Sequence, residues 1–311
     1  MKDERGFALV ITLIITALLV ALTAEFVDEV YVDTSLGHNF VAGQQASILA
    51  SSGVDGGIRL LQFNLVQQSY SSLLDRWAQP LKIDDEQGKL LVRIEEESGK
   101  LNLNAIAGTN GVFNDAYHAI AVRLLKKLEL SPDLCDALAD WVGTNEGPHP
   151  AGAKSSYYNN LKPPYGAKNA RLETFEELAL VKDFSSKVLE KLRPFVTVYP
   201  DQPNAPTAPI NINTAPREVI AALDDKITDE LTARVLEYRK TTPFKDKSDI
   251  AKVAGMDTIS PGISLTTKAK GAVYRILSEA SVKETTRTVE AVVRILGSGP
   301  KDYTVLYWRE F

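Results

Sequence analysis

The chain has 311 residues, 44% of them hydrophobic and 24% charged, proportions that exclude a collagen-like, disulfide-dense or wholly disordered chain. Its length allows one large or two modest domains, each with a real core. The 35 basic and 40 acidic residues leave a formal net charge of −5, a poor balance for bulk nucleic-acid binding, and the lone Cys135 forbids an internal disulfide without fixing the compartment.

From Phe7 to Ala24 the sequence FALVITLIITALLVALTA carries no charge. As a helix this run rises ~27 Å, close to the ~30 Å hydrocarbon core of a bilayer. Lys2 and Arg5 precede it. Glu25, Asp28, Glu29 and Asp33 follow, with no Lys or Arg before Arg59. The positive-inside rule puts the amino terminus in the cytoplasm and the bulk of the chain outside. A secretory signal peptide has a shorter core and a clearer cleavage site than Ala21-Leu22-Thr23-Ala24, while a plain membrane anchor fits equally well at this point. Helical spacing continues through Ala46, Ala50 and Val54, then Ile58, Leu61 and Leu65. One long helix over about 7–68 is expected, two separate helices being the alternative, with Gly53, Gly56 and Gly57 as its bends.

Residues 81–95 read as a hairpin. Leu90, Val92 and Ile94 alternate with Leu91, Arg93 and Glu95, and Glu86-Gln87-Gly88 supplies the turn. A helical stretch follows over about 99–270 and holds a degenerate repeat. Leu101-Asn102-Leu103-Asn104 matches Ile210-Asn211-Ile212-Asn213. Leu134, Leu138 and Trp141 match Leu231, Val235 and Tyr238, and Thr174, Leu178 and Val181 match Asp246, Ile250 and Val253. Three blocks in one order argue for duplication of a short-helix unit of SAM-like or helix-hairpin-helix type. Ser131 before Pro132, a Thr174–Glu177 capping box and Thr214 ahead of Pro216 mark the expected helix starts. The four asparagines are expected to tie loops to backbone groups. Residues 200–209, with four prolines, read as a stiff linker. Residues 143–170 form a long loop of the kind that is functional, metal-pinned or disordered. Beyond them, Tyr274, Ile276 and Ser278 alternate with Arg275, Leu277 and Glu279. Val289, Ala291, Val293 and Ile295 line one face of a second strand, and Tyr303 to Glu310 forms a third. With the hairpin these make one antiparallel sheet on the outer half of the long helix, its edges carrying Lys and Arg.

The apolar run begins directly after Arg5-Gly6, with Phe7 first. This resembles the class III leader of type IV pilins and type II secretion pseudopilins. The resemblance implies that a prepilin peptidase cuts the Gly6–Phe7 bond, that Phe7 is then N-methylated, and that the helix waits in the inner membrane until assembly. Most of these relatives carry Glu at the fifth position counted from Phe7, where it pairs with the terminal amine of a neighbour; Ile11 stands there instead. A carboxylate in hydrocarbon is costly unless paired, so Ile11 makes no such demand. The family member that lacks this Glu is the K-type minor pseudopilin of type II secretion, placed at the filament tip. The L-N-x-N segment at 101–104, Asp140-Trp141 at a helix end, and I-N-x-N-T-A at 210–215 extend the likeness to that family over essentially the whole chain.

The resemblance implies an α+β fold: a pilin-like long N-terminal transmembrane helix packed on an antiparallel sheet, with a large α-helical insertion of two SAM-like or helix-hairpin-helix repeats. The chain then divides into a leader (1–6), a membrane segment (7–24), a pilin-like domain (25–98 and 271–311), a first SAM-like domain (99–199), a Pro-rich linker (200–209) and a second SAM-like domain (210–270). The implied role is structural rather than enzymatic. The chain would join the I- and J-type minor pseudopilins in a tip complex that initiates or caps the periplasmic pseudopilus, on the inner-membrane assembly platform, for export of folded proteins.

Calcium is the one cofactor the resemblance brings in, since family members can bind it in the insertion through acidic loop residues. Asp140, Asn145, Glu146 and loop carbonyls are the candidate ligands here. Gly143 and Asn145 stand where acids are common, and Lys154 follows Gly152-Ala153, which weakens a site for an ion that wants many anionic oxygens. His38, His118 and His149 are isolated and belong to no metal or catalytic motif, no nucleophile elbow or phosphate loop appears, and Glu95-Glu96-Glu97 reads as solvated surface. Two alternatives stay open. One is a minor pilin of a type IV pilus, which shares the leader but does not usually carry the insertion. The other is a membrane-anchored nucleic-acid-binding helix-hairpin-helix protein, disfavoured by the acids at Glu129 to Pro132 and Asp224-Asp225-Lys226.

Overall fold

The computed structural model describes residues 4–311, so the first three residues of the expected leader lie outside the described residues. Helix α1 (Glu4–Gln67) is unbroken. Up to Val41 nearly all of its described side chains are exposed, including Phe7, Leu13, Leu18 and Phe40. From Ala42 a buried stripe begins and runs through Ala46, Ala50, Val54, Ile58, Leu61 and Leu65 at helical spacing. The helix thus changes character: among the described residues its first half packs on no other element, and its second half is the spine of a core.

Strands β1 (Leu81–Asp85) and β2 (Gly88–Glu96) form the hairpin, with Asp85 opposite Gly88. The Asp85 carboxylate accepts hydrogen bonds from the backbone N–H groups of Gln87 and Gly88, which fixes the tight turn. The insertion then runs in short elements: β3 (Leu101–Asn102), α2 (Asp115–Lys127), α3 (Leu134–Val142), α4 (Ser155–Tyr158), α5 (Ser186–Leu192), β4 (Val196–Thr197), β5 (Ile210–Asn211), α6 (Arg217–Ala222), α7 (Asp229–Arg239), α8 (Ser260–Ile263) and β6 (Thr267–Lys268). Strands β7 (Val273–Val282), β8 (Thr285–Ile295) and β9 (Tyr303–Glu310) complete a five-stranded antiparallel sheet of order β1-β2-β7-β8-β9. Because β2 pairs with β7, and Glu96 stands opposite Tyr274, the whole insertion leaves and rejoins the sheet at one place.

The spine of α1 packs on Leu90, Val92, Ile94, Ile276, Val289, Ala291 and Val293, and Trp77 meets Tyr274 edge to face with ring centroids 5.2 Å apart. Gly53, Gly56 and Gly57 sit in continuous helix rather than at bends. At Gly53 the reason is contact: a Cβ there would stand 2.2 Å from Ser278 Oγ and 2.9 Å from Leu90 Cδ1. The missing side chain lets α1 lie close against the sheet.

The insertion has one hydrophobic core spanning both halves, from Leu101 and Leu138 to Ile210, Val235 and Ile263, and it reaches Val273 and Val292 on the sheet. The Arg123 guanidinium donates to the carbonyls of Ala222 and Leu223, tying α2 to the end of α6. Residues 200–209 are fastened rather than free: Arg171 donates to the Ala205 and Asn204 carbonyls, and the Tyr117 hydroxyl accepts from Ala208 N–H.

Three helix starts differ from expectation. The Ser131 hydroxyl accepts from Asp133 N–H, but the α-helical run begins only at Leu134. Thr174 makes no cap; Glu177 instead reaches back to Glu173 N–H and pairs with Lys168. Helix α6 starts after Pro216 with no side-chain cap from Thr214.

Candidate functional site

Two regions carry the residues that the sequence singles out. The first is the apolar half of α1. Gly6, Phe7 and Ile11 lie on the helix and face outward, with Phe7 70% and Ile11 40% exposed. The polar atoms of this run are satisfied locally. The hydroxyls of Thr12, Thr16 and Thr23 donate to the carbonyls of Ala8, Thr12 and Leu19 at 2.7–2.8 Å. A helix with its side-chain donors so bonded, and no charge from Phe7 to Ala24, loses little on entering hydrocarbon. Among the described residues this is the one helix long and apolar enough to cross a membrane.

The second region is the loop after Asp140. Asp140, in the last turn of α3, is fully buried, and its carboxylate accepts from His149 N–H at 3.0 Å and faces His149 Nδ1 at 2.7 Å. His149 is therefore paired rather than isolated, and it packs against Phe113. Gly152 closes over the same carboxylate, where a Cβ would stand 1.9 Å from Asp140 Oδ2. Lys154 reaches back into the loop. Its ammonium donates to Asp140 O at 3.0 Å, Gly143 O at 2.8 Å and Asn145 Oδ1 at 2.9 Å. Burial lowers the Lys154 pKa, and the nearby Asp140 opposes that shift. Of the three candidate calcium ligands, Asp140 and Asn145 are thus brought to one place, around an ammonium. Glu146 is exposed and outside that arrangement. Among the described residues no three His, Cys, Asp or Glu side chains are grouped as a metal site. The residues present do not fit calcium, which wants six to eight oxygens.

Sequence reasoning missed a third cluster. Glu96 and Glu97 are buried, not solvated; of the three consecutive glutamates Glu95 alone is exposed. Glu96 accepts from Ser71 Oγ at 2.9 Å and from Asn211 Nδ2 at 2.8 Å, and burial raises its pKa against those hydrogen bonds. Burial also acts to raise Glu97, but Lys100 and Arg275 outweigh it and hold that carboxyl at about 2. Lys268 pairs with Asp201, which also accepts from Ser98 Oγ at 2.6 Å. These groups knot the end of β2, residues 200–209 and the second half of the insertion together. The available signal was the alternation Val92, Ile94, Glu96, which aims Glu96 inward.

The asparagine segments act as a matched pair. Asn104 donates to the carbonyls of Leu172 and Val198 and accepts from Leu172 N–H. Asn213 donates to the carbonyls of Phe244 and Ala269 and accepts from Phe244 N–H. Asn102 and Asn211 each accept from the backbone N–H two residues on. Strand β3 pairs with β4 in parallel as β5 does with β6.

Models of the type II secretion system protein K family match residues 99–201 and 210–270, together more than half of the chain. The chain belongs to that family. Type II secretion system protein K of Pseudomonas aeruginosa is 29% identical over 264 residues, covering 81% of this chain and 77% of the relative. The protein of the same description from Aeromonas hydrophila is 27% identical and covers 94% of this chain and 93% of the relative. A chain in the crystal structure of the GspK-GspI-GspJ complex from enterotoxigenic Escherichia coli shares the fold, with a TM-score of 0.73 at 20% identity over 90% of this chain and 99% of that one. Membership makes this chain a minor pseudopilin of type II secretion, and α1 its membrane-anchoring helix.

Proposed function

We propose that this chain sits at the tip of the pseudopilus with the I- and J-type minor pseudopilins, in a complex that initiates or caps the filament. The observation that carries this reading is the position of the insertion. Ala42 and Ala46 of α1 pack on Val282 at one end of β7, whereas Lys270, just ahead of the other end, bonds to the end of α1 at Leu65. The insertion, leaving at Glu96 and returning at Val273, therefore projects from the end of the sheet far from the apolar run. A mass placed there blocks stacking of another subunit above. Ile11 fits the same position, since it needs no amine from a subunit higher in the filament. The solved complex of GspK with GspI and GspJ supports the choice of partners.

In this reading prepilin peptidase cuts Gly6–Phe7, and Phe7 becomes the N-methylated terminus. The apolar run spans the inner membrane with the bulk of the chain in the periplasm, as the basic residues before it and the acidic ones after it favour. The matched asparagine clamps support descent of residues 99–199 and 210–270 from one SAM-like unit, joined by 200–209. The role is assembly, not catalysis.

Co-expression of the full chain with prepilin peptidase and the I- and J-type pseudopilins tests the proposal. Mass spectrometry should find an N-methylated Phe7, and detergent extracts should yield the three proteins together. An intact amino terminus would favour a plain anchor, and capture by type IV pilins alone would favour a minor pilin.

A further inference from the structure

We infer that the Lys154 ammonium is the built-in cation of the loop after α3, filling the place of a divalent ion, so that this chain orders that loop without calcium. An ammonium has three N–H donors and no acceptor. Here three oxygens, from Asp140, Gly143 and Asn145, each lie 2.8–3.0 Å from Nζ, which uses every donor. Two of the three are backbone carbonyls and the third is a side-chain amide, the neutral oxygens that otherwise line a calcium loop. The nearest carboxylate oxygen, Asp140 Oδ1, is 3.9 Å from Nζ and is already engaged by His149. The carboxylate is thus held by His149, and the ammonium by three neutral oxygens.

A metal ion in this position would have to displace Nζ, and beside it would meet a fixed positive charge. The tether spans the loop from its far end: Lys154 bonds to residues 14, 11 and 9 positions earlier. It therefore closes the segment as a multidentate ion would, but with a covalently attached charge whose local concentration does not depend on the medium. The neighbouring contacts reinforce the closure. Ala151 N–H donates to Asp136 Oδ2 at 3.0 Å, and Lys182 donates to Ala151 O at 2.9 Å.

The test uses the full-length protein in detergent micelles. Thermal unfolding, and proteolysis within residues 143–170 followed by mass spectrometry, are compared in excess EDTA and in millimolar calcium, and direct calcium uptake is measured by calorimetry. The wild type should show the same midpoint and the same cleavage rate in both media, with no calcium uptake. Lys154→Met keeps the stem and removes the charge, and should be cleaved in this loop about tenfold faster in either medium. A wild-type midpoint that rises with calcium, or stoichiometric uptake of the ion, would overturn the inference without recourse to any variant. So would a Lys154→Met protein cut at the wild-type rate.

Discussion

Lys270 donates its ammonium to the carbonyl oxygen of Leu65 at 2.5 Å, so the residue that ends the insertion caps the helix that begins the chain. It also bonds to Gln68 O at 2.7 Å. The last carbonyls of a helix have no partners within it and carry the negative end of its dipole, so a cation there is favourable twice over. Replacing Lys270 with Met should destabilise the protein by about 1–2 kcal/mol. Hydrogen exchange should then show the last turn of α1 opening while the Ala50–Ile58 region stays protected; protection unchanged at Leu65 would mean the cap is only a surface contact.

Gly53 and Gly56 separate contact from flexibility. Ala is the better helix former by about 1 kcal/mol. At Gly56 nothing stands within 4 Å of an added Cβ, so Gly56→Ala should be neutral or stabilising. Gly53→Ala should instead cost about 1–3 kcal/mol, because its methyl meets Ser278 and Leu90. Thermal melts of the two variants decide the matter, and a stabilised Gly53→Ala would show that the close approach of α1 to the sheet does not require a glycine there.

Asn104 and Asn213 predict a paired result. Each side chain bonds three backbone groups, and of these six the Ala269 carbonyl also accepts from Ser71 N–H. Truncation to Ala leaves buried donors and acceptors open, at about 2–4 kcal/mol for each variant. Since both clamps serve one shared core, each variant should lower a single unfolding transition, seen by calorimetry, rather than split it in two.

Glu97 contributes to the acid limb of stability. Its folded-state pKa of about 2 lies below the ordinary 4.5, so as pH falls from about 4.5 toward about 2 the unfolded chain takes up the proton first and stability is lost. The full contribution, on the order of 3 kcal/mol, is present above that window. Glu96 has the opposite sign: burial raises it, so its protonation on acidification favours the folded form. Glu97→Gln should be less stable at neutral pH and should flatten the midpoint against pH below about 4.5. Parallel curves for variant and wild type would show that its ion pairs with Lys100 and Arg275 are not the cause.

Local pattern was enough for everything with a short period. The uncharged run to Ala24, the spacing from Ala46 to Leu65, the alternation in β2, β7 and β8, and the turn between Asp85 and Gly88 were all legible, because each depends on neighbours a few residues away. The Arg5-Gly6-Phe7 start of the apolar run and the L-N-x-N and I-N-x-N-T-A segments pointed to the family for the same reason. The asparagines could be read as loop ties, but not which backbone groups they would reach.

What the tertiary structure alone decided depends on partners far along the chain. Glu96 and Glu97 read as surface because their neighbours are charged. They are buried because Ser71, Asn211 and Arg275 arrive from distant segments to bond them. Gly53 read as a bend because its contacts, Ser278 and Leu90, belong to the sheet. Lys154 read as a loss of calcium-binding charge. Only the folded loop shows its ammonium among the oxygens, because a side chain's charge is set by the sequence and its position by the loop that closes around it.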